Sequence, residues 1–399
     1  MRIALNIEAL GARRGGAEKY AGTLARWLKG AGHDVHVFAS EVDKGELPEC
    51  VPVVAVRPFC PPGMGWLRAY LFARESERLL KVHNFDLIIG FNKVWYVHAY
   101  VAVGGAHPAA LEYNSKRLRS VLSRAFWWMT KRLSPKQWVF RAIARRQFHS
   151  GYAPCVIAPA RMVAEHFRQY HGVPNDRISV VYNALDSLAT LSNESAARSE
   201  FRRRHGLRAG DVAVLFVARN YVLKGLEPLL DAYSIVANRN PQASLIVCGG
   251  RHAGRFRRQA RRLGIANRVR FLGFVDDIRA CFAGCDLFAF PTFYDPCSLV
   301  VLEALNAGLP VVTTRQNGAG ELLTEGEDGF VIDSPWNTEQ LADRLERLVS
   351  DGELRRRMGR NARENVQAFT IEARQRELLD ALTRAARDQQ ANPGLRLAA

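Results

Sequence analysis

The sequence predicts an α/β protein of two domains, and three observations carry that prediction. A chain of 399 residues is long for one hydrophobic core and suits two domains of roughly 150–200 residues. Apolar runs of strand length alternate with helical patterns along most of it, the rhythm of α/β units. Its composition, 48% hydrophobic and 24% charged, is that of a globular enzyme and not of a disordered chain.

The first strand is expected over 2–7 (RIALNI), then a loop ending in Gly15-Gly16 and a helix over about 17–31 closed by Gly32. A glycine pair at a strand-to-helix turn lets backbone approach a phosphate or sugar, although it also reads as a tight turn. Further strands are expected at 33–39, 51–56, 86–91 and 98–103, with an amphipathic helix over 66–82. His107 follows the last of these strands, at the end where ligands gather in doubly wound folds; a loop or capping role competes. A strand at 152–159, a helix at 161–170 and a strand at 178–182 complete this half.

Between 113 and 164 there is no acidic residue, while basic ones, Arg124, Lys131 and Arg132 among them, interleave with Phe126, Trp127, Trp128 and Trp138. Cations beside aromatic rings suit a surface helix lying in an anionic leaflet. Packing of the rings into a core, or a nucleic-acid partner, are the alternatives. The net charge of +17 and pI near 9.9 independently call for an anionic partner: nucleic acid, a membrane surface or an anionic substrate.

After a polar, basic stretch over 187–211, Val212–Ala218 is a strongly apolar strand, followed by a loop carrying Arg219 and Lys224. Two cations on such a loop reach one diphosphate, Arg as a fork and Lys as a point charge; solvated loop charges are the bland reading. Strands at 244–249 and 269–274 flank an Arg-rich helix over 251–263, and a helix start is expected at 276–281. Residues 287–314 (LFAFPTFYDPCSLVVLEALNAGLPVVTT) read as a strand, a loop carrying Asp295, a helix opening near Ser298, and a strand at 311–314. The first-turn amides of Ser298, Leu299 and Val300 are expected to be unpaired and to form an anion site at the helix start. Asp295 before that helix and Glu303 inside it place carboxylates on either side of a bound phosphate; helix capping by Asp295 and a plain helical Glu303 are the competing reading. Beyond Thr338 the chain reads as amphipathic helix, with a last helix over about 372–387 and a frayed tail from Gln389.

No apolar run reaches the eighteen or so residues of a spanning helix, and MRIALNIEAL enters a strand pattern without a secretory signal. The seven cysteines are scattered with no CxxC, so neither a disulfide framework nor a zinc site is expected. A reducing cytoplasm follows.

The stretch 287–314 resembles the signature of retaining glycosyltransferases of family 4, which have the GT-B fold. Gly15-Gly16-Ala17-Glu18 is similar to the family's first turn, Ala218–Gly225 to its Gly-Arg-x4-Lys-Gly loop with Ala218 replacing Gly, and 318–332 to its Glu-Leu segment around Glu321, read here as structural. Asn183-Ala184-Leu185-Asp186 resembles the family's Asn-Gly-Val-Asp crossing. Gly90-Phe91-Asn92-Lys93 resembles the lipopolysaccharide core glucosyltransferase subgroup. The resemblance implies two Rossmann-like domains facing across a cleft: 1–185 on the acceptor side, including the basic aromatic segment 113–150, 186–371 on the donor side, and 372–399 crossing back to the first domain.

By that resemblance the enzyme moves a hexose, of UDP-glucose type, from a nucleoside diphosphate sugar to a glycolipid such as lipopolysaccharide core, with retention and without metal or other cofactor. Arg219 and Lys224 would stabilise the departing diphosphate, Asp295 would bind sugar hydroxyls, Glu303 the ribose, and Gly15 and Gly16 would face the diphosphate. His107 would position the sugar and support it electrostatically. Arg124, Trp127, Trp128, Lys131 and Arg132 would contact the membrane on its cytoplasmic face. Relatives usually carry Glu where this chain has Asp295, which sets the carboxylate about 1.5 Å further back. A non-catalytic membrane- or polysaccharide-binding module, a sugar-nucleotide epimerase, a phosphorylase and a nucleic-acid binder remain as alternatives; the last lacks a recognition motif.

Overall fold

The computed structural model describes residues 1–11, 16–43, 45–61, 63–149, 153–185, 193–250 and 252–391. Expectations for Gly15, Tyr152, Asp186, residues 187–192, Arg251 and the tail from 392 lie outside the described residues. The chain forms two compact units. The first comprises Met1–Leu111, Leu118–Val181 and the chain from Gln375 on; the second comprises Tyr182–Arg374 together with Glu112–Arg117.

The strands of the first unit are β1 (Arg2–Asn6), β2 (Asp34–Ala39), β3 (Val53–Ala55), β4 (Leu87–Phe91), β5 (Ala99–Val101), β6 (Cys155–Ala158) and β7 (Ile178–Val180). They pair in parallel in the order β3-β2-β1-β4-β5-β6-β7. In the second unit β8 (Val212–Ala218), β9 (Ala243–Gly249), β10 (Val269–Gly273), β11 (Leu287–Phe290), β12 (Val311–Thr314) and β13 (Gly329–Ile332) form a parallel sheet in the order β10-β9-β8-β11-β12-β13. Both are doubly wound sheets. Strands such as β4 (LIIGF) and β8 (VAVLFVA) are apolar throughout because parallel strands are covered on both faces. The strand order reverses at β1/β4 in the first sheet and at β8/β11 in the second, and such reversals open the crevice where these folds take ligands.

Several boundaries differ from expectation. The basic aromatic segment is two helices, Val121–Leu133 and Pro135–Phe148, because Pro135 cannot extend the first but is favoured at the opening turn of the second. The first buries no residue; the second buries Gln137, Ile143, Gln147 and Phe148. The core-packing alternative therefore holds for part of the second helix alone. Glu194–Arg204, within the polar, basic stretch, is a helix that buries Phe201 and Arg202, whose guanidinium reaches Asp286 at 3.2 Å. His107 does not sit in a loop but opens the helix His107–Ser115. Beyond Thr338 the helix divides into Thr338–Ser350 and Gly352–Val366, the second capped by Asp351. The final helix runs Ile371–Ala391, so Gln389 is helical and not frayed. Its Leu378, Ala381, Leu382, Ala385 and Ala386 are buried in the first unit's core beside Ile3, Leu5 and Val37. No helix among the described residues is long and apolar enough to cross a membrane.

Candidate active site

The second unit's reversal point gathers most of the expected donor residues. Exposed Arg219 follows β8, and the loop to Gly225 turns back against the segment that follows β11. The amide of Phe293 donates to the Leu223 carbonyl at 3.0 Å, and the Thr292 hydroxyl reaches the same carbonyl at 3.3 Å. Gly225 has φ +80°, and a Cβ there would stand 1.8 Å from the Pro291 carbonyl oxygen. Only glycine tolerates both the left-handed backbone and that approach.

This docking brings Lys224 to Asp295. Its Nζ lies 2.6 Å from Asp295 Oδ2 and 3.1 Å from the Tyr294 carbonyl oxygen, with both side chains largely buried. The Ser298 hydroxyl donates to the same Asp295 oxygen at 2.5 Å. Two residues expected to hold different parts of a donor thus hold each other. Arg219 stands apart, with no ion-pair partner among the described residues.

The helix Leu299–Asn306 starts after an extended Ser298 (ψ 115°). Leu299 and Val300 contribute its first amides, upstream of the intrahelical ladder. The expectation for Ser298 is corrected: its amide already donates to Asn317 Oδ1 at 3.3 Å. Asn317 is fully buried, also accepts from the Ala319 amide (3.2 Å) and donates to the Thr313 hydroxyl (3.0 Å). Around it, the Asp295 amide donates to the Gln316 carbonyl and the Gly318 amide to the Asp295 carbonyl, both at 2.9 Å. Asn317 fixes the Asp295–Ser298 turn, and the sequence reading passed over it. Its one local signal is a polar residue inside the Gly-rich NGAGE. Glu303 is half-buried in the middle of the same helix. Glu321 accepts from the Tyr182 hydroxyl at 2.9 Å.

In the first unit, His107 Nε2 lies 2.7 Å from Gln137 Oε1, and the ring meets Phe140 edge-on at 5.3 Å. An amide oxygen only accepts, so Nε2 carries the proton and Nδ1 is the lone-pair nitrogen. Burial, followed by the neighbouring Lys93, lowers its pKa to about 4; the Gln137 bond opposes this and Lys136 and Arg141 add to it. The ring is neutral at physiological pH, which corrects the expected electrostatic role: it has no charge to give. Gly16, the described half of the glycine pair, opens the helix Gly16–Gly30. On the helix Val121–Leu133, Val121, Leu122, Phe126, Trp128, Met129 and Leu133 are exposed, and Lys131 lies over the Trp127 ring at 5.3 Å. A cleft of about 660 Å³ is lined by Trp128, Met129, Arg132 and Arg141.

Residues 14–187 match the family described as Glycosyltransferase Family 4, and residues 197–365 match Glycosyl transferases group 1. Sheets of this order with those two domains define a glycosyltransferase of GT-B fold. Between them the two glycosyltransferase models account for most of the chain. It is 28% identical over 363 residues to an uncharacterized glycosyltransferase of Methanocaldococcus jannaschii, covering 88% of this chain and 90% of that one. It is 23% identical to the lipopolysaccharide glucosyltransferase WaaG of Escherichia coli over the same shares of the two chains. A crystal structure of WaaG, described as a glycosyltransferase involved in lipopolysaccharide biosynthesis, shares the fold with a TM-score of 0.74 at 21% identity, over 95% of this chain and 98% of that one. HepE of Anabaena, solved in complex with UDP, superposes with a TM-score of 0.70 at 23% identity, covering 96% and 100%.

Proposed function

We propose that this glycosyltransferase moves a hexose, with retention, from a nucleoside diphosphate sugar of UDP-glucose type to a membrane-associated glycolipid such as a lipopolysaccharide core. The observation that carries the reading is the Lys224–Asp295 pair at the β8/β11 reversal, beside the first amides of the helix Leu299–Asn306. A diphosphate arriving there draws Lys224 from the carboxylate, because two phosphate groups offer more negative charge than one Asp. Asp295 is then free to accept from sugar hydroxyls. Arg219 and the Leu299 and Val300 amides neutralise the charge that grows on the departing diphosphate. Glu303 holds the ribose.

In this reading the bond from the anomeric carbon to the phosphate oxygen breaks as the bond to the acceptor oxygen forms on the same face. The acceptor's proton passes to the departing phosphate oxygen. His107, neutral, orients a hydroxyl through Nδ1. No metal or other cofactor enters; lysine, arginine and helix amides supply the positive field. The helix Val121–Leu133, with Arg124, Trp127, Trp128, Lys131 and Arg132, holds the enzyme to an anionic leaflet on the cytoplasmic side, where a lipid-linked acceptor is found. HepE's UDP complex and the WaaG relative support the choice of donor and acceptor class.

The test is mass-spectrometric hydrolysis and transfer over a panel of sugar nucleotides, with chelator present, on wild type and Glu303→Ala. Release of nucleoside diphosphate from one donor, lost in the variant, is the expected result. Silence across the panel without any nucleotide-induced melting shift would refute it.

A further inference from the structure

We propose that Lys93, together with Lys136 and Arg141, forms a binding site for an oxyanion, a phosphate or carboxylate borne by the acceptor; this rests on the acceptor reading above. Lys93 stands two residues beyond the end of β4, at the strand-order reversal of the first sheet. The residue that aims it, Asn92, has φ +58°, the one positive φ outside glycine among the described residues. A left-handed backbone at a non-glycine residue is strained and collects at functional positions.

Three segments converge on the ring of Phe140. The Lys93 ammonium lies 4.8 Å from its centroid and that of Lys136 5.5 Å, while the His107 ring meets its edge at 5.3 Å. Arg141 follows Phe140 in the same helix and is close enough to act on His107. No carboxylate among the described residues pairs with any of the three cations. Glu77, which serves this side of the unit, is taken by Arg146 and Lys81 at 3.0 Å each and by the Trp95 indole at 2.7 Å. Lys93 is half-buried, and its pKa is lowered to about 8 by desolvation and then by Lys136. A cation placed in such surroundings without a counter-ion destabilises the fold. That cost is offset when an anion enters, and a desolvated lysine repelled by a neighbouring cation at a strand-end crevice marks such a place. A phosphate offers three oxygens for three cations.

The probe is inorganic phosphate, titrated calorimetrically into the whole protein at pH 7. In parallel, acetic anhydride labelling of Lys93 at pH 8 is read by mass spectrometry. Phosphate is expected to protect Lys93 from acetylation, and Lys93→Met to weaken phosphate binding at least tenfold. Arg261→Met, in the second unit, removes the same charge as a control and leaves phosphate binding unchanged. Lys93→Met should melt at or above the wild-type temperature, since a lone cation is removed; this also certifies that the variant folds. Vesicles of phosphatidylglycerol, set against phosphatidylcholine, separate the sources. Protection by free phosphate assigns the oxyanion to a soluble or saccharide group, and protection by anionic vesicles alone assigns it to a lipid headgroup. Absence of protection by either, or, where free phosphate does protect, equal phosphate affinity in wild type and Lys93→Met, would overturn the proposal. Neither readout needs turnover. A protein that releases nucleoside diphosphate from a donor without protecting Lys93 loses this site and keeps the transferase reading, and the reverse outcome separates them the other way.

Discussion

The two units repeat one strand order, yet they hold positive charge at the reversal point in opposite ways. In the second, Lys224 is closed on Asp295 at 2.6 Å, and a buried asparagine pins the turn around it. In the first, Lys93 has a ring and another cation for company and no carboxylate. A paired cation is ready to exchange one partner for a stronger one at little change in its own protonation. An unpaired one strains its surroundings until an anion arrives. On the readings proposed above, similar scaffolds would carry one site suited to exchange and one suited to capture.

The sharpest way to break the comparison is Lys224→Met. It removes the main positive charge from the donor loop and leaves Asp295 as a largely buried carboxylate with only Ser298. Donor turnover should fall by about 10²–10³-fold, the scale of losing one preorganised charge donor. Arg219→Met, exposed and unpaired, should leave the melting temperature unchanged and lower turnover less. Equal rates for wild type and Lys224→Met in a nucleotide-release assay would remove the exchange model.

Acid should separate the units next. In the first, burial lowers His98, His107 and His171 to about 4. Between pH 6.5 and 4 the unfolded chain takes up protons that these native rings refuse, so stability is full above 6.5 and drains away on acidification. For His98, whose Nδ1 accepts the Ile88 amide at 3.2 Å, a fall from 6.5 to about 4 corresponds to roughly 3 kcal/mol. Hydrogen exchange by pH should show the sheet of β1–β7 losing protection first. Simultaneous loss in both sheets would contradict this.

Gly225→Ala should cost about 2–3 kcal/mol, from the forced left-handed backbone and the clash with the Pro291 carbonyl. Denaturant melts would register it as a lower midpoint with unchanged slope. The smallest effect is expected for Trp128→Ala, on a helix that buries nothing: stability within about 0.5 kcal/mol of wild type, with weaker binding to anionic vesicles in a flotation assay. A large fall in melting temperature would mean that this helix belongs to a core after all.

What could be read in the sequence follows physical range. Strands such as Val212–Ala218 and Leu287–Phe290 announce themselves because covered parallel strands are apolar at every position. β13 escaped because GFVI is four residues long and opens on glycine. The break at Pro135 was visible in the residue itself and was smoothed over by the charge pattern. Lys224 and Asp295 were both singled out, but their mutual bond joins positions 71 apart and leaves no local trace. Asn317 reaches Ser298 across 19 positions and Gln137 reaches His107 across 30, so single-residue chemistry had nothing to point at. Lys93 entered only as part of a resembling phrase; its meaning needs Phe140 and Lys136 folded over it.

The helix Ile371–Ala391 carries a consequence for how the chain is made. Its buried leucines and alanines complete the hydrophobic core of the first unit, yet the ribosome releases them only after the whole second unit. Until then Ile3, Leu5 and Val37 wait with an uncovered apolar face, in a nascent chain that has already synthesised both sheets. Closure of the first unit is thus a late, long-range event with a large loop entropy to overcome. Throughout that interval the exposed face is a natural substrate for chaperones and a point of entry for aggregation.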